Sequence, residues 1–177
     1  GGWTDAICMR CVDTMLSIPR LLLLIVVVAS TGALDVPGII LLLGLTSWQG
    51  TSRLVRGEVR ALRERDYVHA ARATGVPEWQ ILLRHVLPGV TPQILVAATL
   101  AFASVIPIEA GLSYLGLGVR PPTASWGNII QDGADVMADA WWIVLFPALA
   151  IVATVLAVNT IGERLREAVD PRQLPPR

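Results

Sequence analysis

The clearest apolar run, "WWIVLFPALAIVATVLAV" from Trp141 to Val158, holds eighteen residues and no charge. A helix over it reaches roughly 27 Å at about 1.5 Å per residue, close to the hydrocarbon thickness of a bilayer. A second run, "ILVAATLAFASVIPI" from Ile94 to Ile108, stays apolar for fifteen residues before Glu109 and continues with weak polarity to Leu117. Two others are shorter. Leu21 to Leu34 becomes long enough only if its helix begins before Pro19, and Gly38 to Trp48 only if it continues into "QGTSRLV". Four membrane-spanning helices are expected. A soluble helical core could hold two such runs, but the unbroken eighteen-residue run argues against it.

Between these runs the pattern changes period. Residues 1–18 read as an amphipathic lead-in, with Cys8, Cys11, Val12 and Met15 on one helical face and Arg10 able to pair with Asp13. Pro19 is expected to kink the passage into the next run, and "LDVPG" to form a turn. "TSRLVRGEVRALRER" places Arg53, Arg56, Arg60 and Arg63 in one stripe and Val55, Val59 and Leu62 in another. The basic stripe suits a headgroup layer, a partner surface, or both.

A polar island, "DYVHAARATGVPEWQILLRHVLP" from Asp66 to Pro88, follows. Its first piece carries Tyr67, Ala70, Ala71 and Thr74 on one mostly small face, where another backbone could approach closely. Gly75 stands where a helix ends in left-handed conformation, Pro77 where the next begins, and Glu78 in its first turn. Trp79, Leu82, Leu83 and Val86 form a greasy face, and Pro88 is expected to stop the helix before the next span. After that span, residues 112–140 form a Gly- and Pro-rich loop with a short helix expected near Asn128 to Ala138.

Composition agrees with a membrane protein. Hydrophobic residues make up 54% and charged residues 16%, against about 25% charged in ordinary globular domains. Net charge is zero by formula, so no bulk attraction to nucleic acid is implied. Seven arginines face four acids between Gln49 and Leu87, whereas Glu109 to Ala140 carries Arg120 against Glu109, Asp132, Asp135 and Asp139. The tail adds Arg164, Arg166, Arg172 and Arg177. The positive-inside rule therefore puts region 53–88 and the tail in the cytoplasm and the acidic loop outside, which four spans satisfy. The start, "GGWTDA", has no initiator Met and no signal-peptide pattern, as expected of a processed chain or the later part of a longer one.

Several chemistries are disfavoured. The chain has no lysine, which the Walker A phosphate loop requires, so that route to ATP hydrolysis is closed. Cys8 and Cys11 have no second pair, and His69 and His85 lack a zinc-finger spacing, so the cysteines read as packing residues and no metal or cofactor is expected. Ser113 in "GLSYLG" suggests an intramembrane serine hydrolase, yet the topology leaves both histidines across the bilayer. Prolines at 121 and 122 rule out a dinucleotide turn in "GLGVRP". Glu109 at a lipid-facing bilayer centre would cost about 2.5–3.5 kcal/mol. It is expected either at the outer interface near Arg120 or on a pathway or gate, with Ser113 and Trp126 as further pathway candidates.

The island resembles the cytoplasmic EAA loop of bacterial ABC-importer permeases. The motif's acid falls on Asp66, its paired alanines on Ala70 and Ala71, its glycine on Gly75, and its apolar-Leu-Pro ending on Val86, Leu87 and Pro88. "EAGLSYLGLGVRPPTASWG" from Glu109 to Gly127 and the tail "VNTIGERLREAVDPR" are similar to the second permease of dipeptide, oligopeptide and nickel importers. Asp66 stands in place of the motif's Glu, and Glu163 and Glu167 where aspartates are usual. The resemblance implies an all-α permease domain over 1–177, equivalent to the last four of six membrane helices, in the bacterial inner membrane. It also implies ATP-binding subunits that hold the ATP, a sister permease and an external solute-binding protein. Asp66, Tyr67, Ala70, Ala71, Thr74, Gly75, Trp79, Leu82, Leu83 and Pro88 would then couple the chain to the ATPase. An inactive scaffold fragment of such a permease is the alternative.

Overall fold

The structure is a computed structural model that describes residues 2–32 and 34–169. The tail residues Arg172 and Arg177 lie outside the described residues, which are helical throughout their ordered elements and contain no strand. α1 (Gly2–Leu16) meets α2 (Arg20–Thr31) at an 83° bend that falls on Ser17–Pro19, as the proline requires. α3 (Val36–Leu45) is capped by Asp35, whose Oδ1 accepts the Gly38 amide, and α4 (Trp48–Arg63) follows. Then come α5 (Asp66–Ala73) and α6 (Glu78–Ile81), which passes through a π-helical turn (Leu82–Val86) into α7 (Leu87–Tyr114). α8 (Trp126–Ala134) and α9 (Trp142–Val169) complete the described residues.

Among the described residues, two helices are long and apolar enough to cross a membrane: the continuous rod Glu78–Tyr114, of 37 residues, and Trp142–Ala168. α1 and α2 count as a third if the bent pair is one broken span. The expected second span is not a single helix. α3 ends at Leu45 because the Leu43 carbonyl is taken by side chains: the Ser47 hydroxyl donates to it, and so does Arg20 Nη2 at 3.2 Å. The Ser47 amide turns instead to Gly44, and Thr46 Oγ1 donates back to Leu42 at 2.9 Å. Hydroxyls competing for helical carbonyls break the run.

Pro88 does not stop the helix. It lacks an N–H and its ring would crowd the carbonyl four residues earlier, but the preceding turn is wide, with the Leu87 amide bonding the Leu82 carbonyl. The rod runs on.

Two apolar clusters organise the rest. Val68, Ile81, Val86 and Val90 are buried with Val55, Val59, Leu62 and Ala71 packed against them, which ties α4 and α5 to the start of α7. Leu24, Ile39, Leu43 and Leu112 join α2, α3 and the far end of α7. The side chains of the two long helices are otherwise largely exposed, as expected of lipid-facing surface.

On α1 the observed inner face differs from the expected one. Val12 is buried, Asp5 and Met9 are half-buried, and Cys8, Cys11 and Met15 are exposed, so the cysteines are not packing residues. The reason is electrostatic. Asp13 pairs with Arg53 at 2.6 Å rather than with Arg10, and Asp5 takes two hydrogen bonds from Arg56, each 2.7 Å, which turns α1's acids toward the basic stripe of α4.

Candidate functional site

Two places on the rod Glu78–Tyr114 gather the sequence-selected residues, one at each end. The first is the corner between α5 and α6. Gly75 has φ 81°, its amide donates to Arg72 O, and the Val76 amide donates to Ala71 O. That is the double-bonded helix ending that glycine permits. Pro77 falls one position earlier than expected, at the cap of α6, where its carbonyl accepts the amides of Gln80 and Ile81. Arg72 closes the corner by pairing with Glu78, and this hydrogen bond holds the guanidinium above its ordinary pKa.

The corner's side chains divide by direction. Val68, Ala71, Ile81 and Val86 face the core, so Ala71 and Val86 leave the outer faces expected for them. Trp79, Leu82 and Leu83 point outward with relative exposures of 66%, 50% and 54%. Asp66, Tyr67, Ala70, Thr74 and Pro88 are also exposed. The Tyr67 ring lies 6.2 Å from that of His85, and Thr74 Oγ1 donates to Ala71 O at 2.9 Å. The result is an unburied aromatic and aliphatic ridge beside a small-residue face, on a base fixed by its own core.

The second place is the other end of the rod, where Glu109, Ser113 and Trp126 come together. Ser113 is fully buried; its hydroxyl donates to Glu109 Oε1 at 2.6 Å and accepts the Val119 amide at 3.1 Å. Asn128 Nδ2 donates to Val119 O at 2.7 Å, and the Asn128 amide donates to Ser125 Oγ, which caps α8. Glu109 and Trp126 line one open groove of about 350 Å³. No ion pair joins Glu109 to Arg120 among the described residues, and Arg120 is exposed. Gly127 makes this closeness possible, since a Cβ there would stand 2.2 Å from Ala110 O and 2.6 Å from Ser113 Cβ.

A serine–histidine pair is not formed. His85 and Ser113 occupy the same continuous helix and lie about 42 Å apart at the ordinary rise. His69 sits beside Glu64 at the corner end.

Sequence reasoning missed Arg20, Asp5 and Asn128. Arg20 is the lone cation at the foot of an apolar run, and its Nη2 also donates to Ser47 Oγ at 2.6 Å. Asn128 was detectable as the third residue after a capping serine.

Residues 1–174 match the family described as binding-protein-dependent transport system inner membrane component. A Brucella suis protein provisionally named a peptide transport system permease is 43% identical over 168 residues, covering 95% of this chain and 56% of the relative. A Brucella ovis protein provisionally named a peptide permease is 42% identical over 174 residues, covering 97% and 57%. The glutathione transport system permease protein GsiD of Escherichia coli is 40% identical over 171 residues, covering 97% and 56%. The chain thus spans little more than half the length of these curated relatives.

Proposed function

The chain belongs to the family of binding-protein-dependent transport system inner membrane components, and from that premise we propose that it is part of a permease subunit of an ATP-driven peptide importer. The corner of α5 and α6 lies in the cytoplasm and docks on a separate ATP-binding subunit, where the ATP is bound and hydrolysed. A sister permease completes the pathway, and an external solute-binding protein delivers the peptide. The described end of α9 returns to the cytoplasm, with Arg164 and Arg166 in keeping with the positive-inside bias. This chain does no covalent chemistry.

The observation that carries the reading is mechanical. An exposed apolar ridge (Trp79, Leu82, Leu83) is built on the overhanging end of a 37-residue helix that continues without a break into the membrane. Buried apolar anchors surrounded by fixed contacts are what a docking partner uses. A push on the ridge reaches Glu109 through one rod, so closure of the partner can rock the membrane helices between two arrangements.

The test is peptide uptake by the full-length permease with its partners. Leu82→Glu together with Leu83→Glu changes only exposed positions. Insertion into the membrane is expected to remain normal while uptake falls at least about tenfold, because two carboxylates would be buried unpaired in the docked interface. Normal uptake by that variant would overturn the docking assignment.

A further inference from the structure

Glu109 is neutralised by nothing among the described residues. Its Oε1 accepts the Ser113 hydroxyl, Oε2 accepts no hydrogen bond among the described residues, and no described arginine or histidine pairs with it. Its position along the rod tells where this charge sits. Leu87 to Ile108 covers about 33 Å of helix, one hydrocarbon thickness. On the proposed topology Glu109 therefore emerges at headgroup level on the side opposite the corner, where its carboxylate can meet water. Asp132, Asp135 and Asp139, against Arg120 alone, make that side negative and attractive to cations.

The groove beside it is bounded by Glu109, Ala124, Ser125, Trp126 and Ile129. We propose that this groove is a subsite for a primary ammonium, filled by the free amino terminus of a peptide entering the permease; the inference rests on the peptide-import reading above. An ammonium carries three donors and a compact charge. The carboxylate of Glu109 takes the charge, and Trp126, which lines the same groove, supplies an aromatic ring for the same cation. Ala124 and Ile129 supply apolar surface for the first side chain. A volume of about 350 Å³ is at the small end for ligand sites and suits a single residue of a peptide. The site is also built in advance. The chain of hydrogen bonds from Glu109 through Ser113, Val119 and Asn128 to Ser125 fixes α7 against α8, so both walls hold their places before a ligand arrives.

The experiment uses the full-length permease with its sister subunit in nanodiscs, without the binding protein. Dialanine and N-acetyl-dialanine are the probes, and binding is read by saturation-transfer NMR. Dialanine is expected to bind at least about tenfold more tightly than its acetylated form, which has lost the charge. Glu109→Gln should bring dialanine down to the acetylated level, and Trp126→Leu should weaken it about threefold. Equal binding of the two probes to the unaltered protein, or dialanine binding untouched by both substitutions, would overturn the proposal. So would loss of the sister subunit in Glu109→Gln with full dialanine binding in Trp126→Leu, which would assign the carboxylate to an ion pair between subunits. This readout needs no ATP, so a failure of uptake and a failure of ammonium binding are seen separately.

Discussion

Gly75 and Gly127 are both required, for opposite reasons. Gly75 has open space around its Cβ position and a φ of 81°, so a side chain there would meet no neighbour and suffer only in its own backbone. Gly75→Ala is expected to cost about 1–2 kcal/mol, and Gly75→Val more, since a β-branched residue fits left-handed conformation worst. The loss should appear as faster hydrogen exchange confined to α5 and the corner. Gly127 has ordinary backbone but no room, and the nearest obstacle, Ala110 O, is main chain that cannot swing aside. Gly127→Ala should therefore lower the thermal stability of the detergent-solubilised full-length protein by about 2–3 kcal/mol. If Gly127→Ala melted like the unaltered protein while Gly75→Ala did not, the contact between α7 and α8 would be looser than described.

Elements add what single residues do not. The π-helical turn Leu82–Val86 sets how the ridge is rotated relative to the membrane part of α7. Deleting Arg84 would remove the extra residue that keeps this turn wide, so that Pro88 falls in ordinary α-helical register and its ring kinks or breaks the rod, redirecting the ridge. Uptake should be lost although all the ridge residues remain, and retained uptake would mean that ridge direction does not matter. α1 and α4 form a second coupled pair. Hydrogen bonding from Arg56 holds the Asp5 carboxyl below its ordinary range, so the contact is complete above the usual carboxylate pKa and weakens as pH falls through the lowered value. Asp5→Asn should speed exchange in α1 at neutral pH, and Asp5→Arg with Arg56→Asp should restore protection. The corner was legible in the sequence because glycine and proline act within a few residues of themselves, whereas the helix expected near Asn128 to Ala138 begins earlier, at Trp126, behind the Ser125 cap. Three features were not legible, and the last two of them depend on contacts distant in sequence. They are the wide turn that carries the helix past Pro88, the break at Thr46 and Ser47 locked by Arg20, and the face of α1 chosen by Arg53 and Arg56.

At the scale of the whole molecule, one continuous rod links a polar corner to a carboxylate groove about 46 Å away at the ordinary helical rise. Two long apolar helices with little of their surface buried among the described residues suit a membrane, and on the proposed reading the apolar ridge stands outside the hydrocarbon layer and is covered by a protein partner. That distinction separates a working permease from an inserted scaffold, which would keep its lipid-facing surface and leave the ridge in water. Photo-cross-linking in the native membrane reads it directly, with a benzophenone amino acid at Leu82 of the full-length permease and, as control, at Leu149 on the exposed face of α9. The account predicts an adduct between position 82 and an ATP-binding subunit, with a yield that changes when ATP is added, and no such adduct from position 149. An adduct pattern at 82 that matches 149, with no ATP-binding subunit captured, would contradict it.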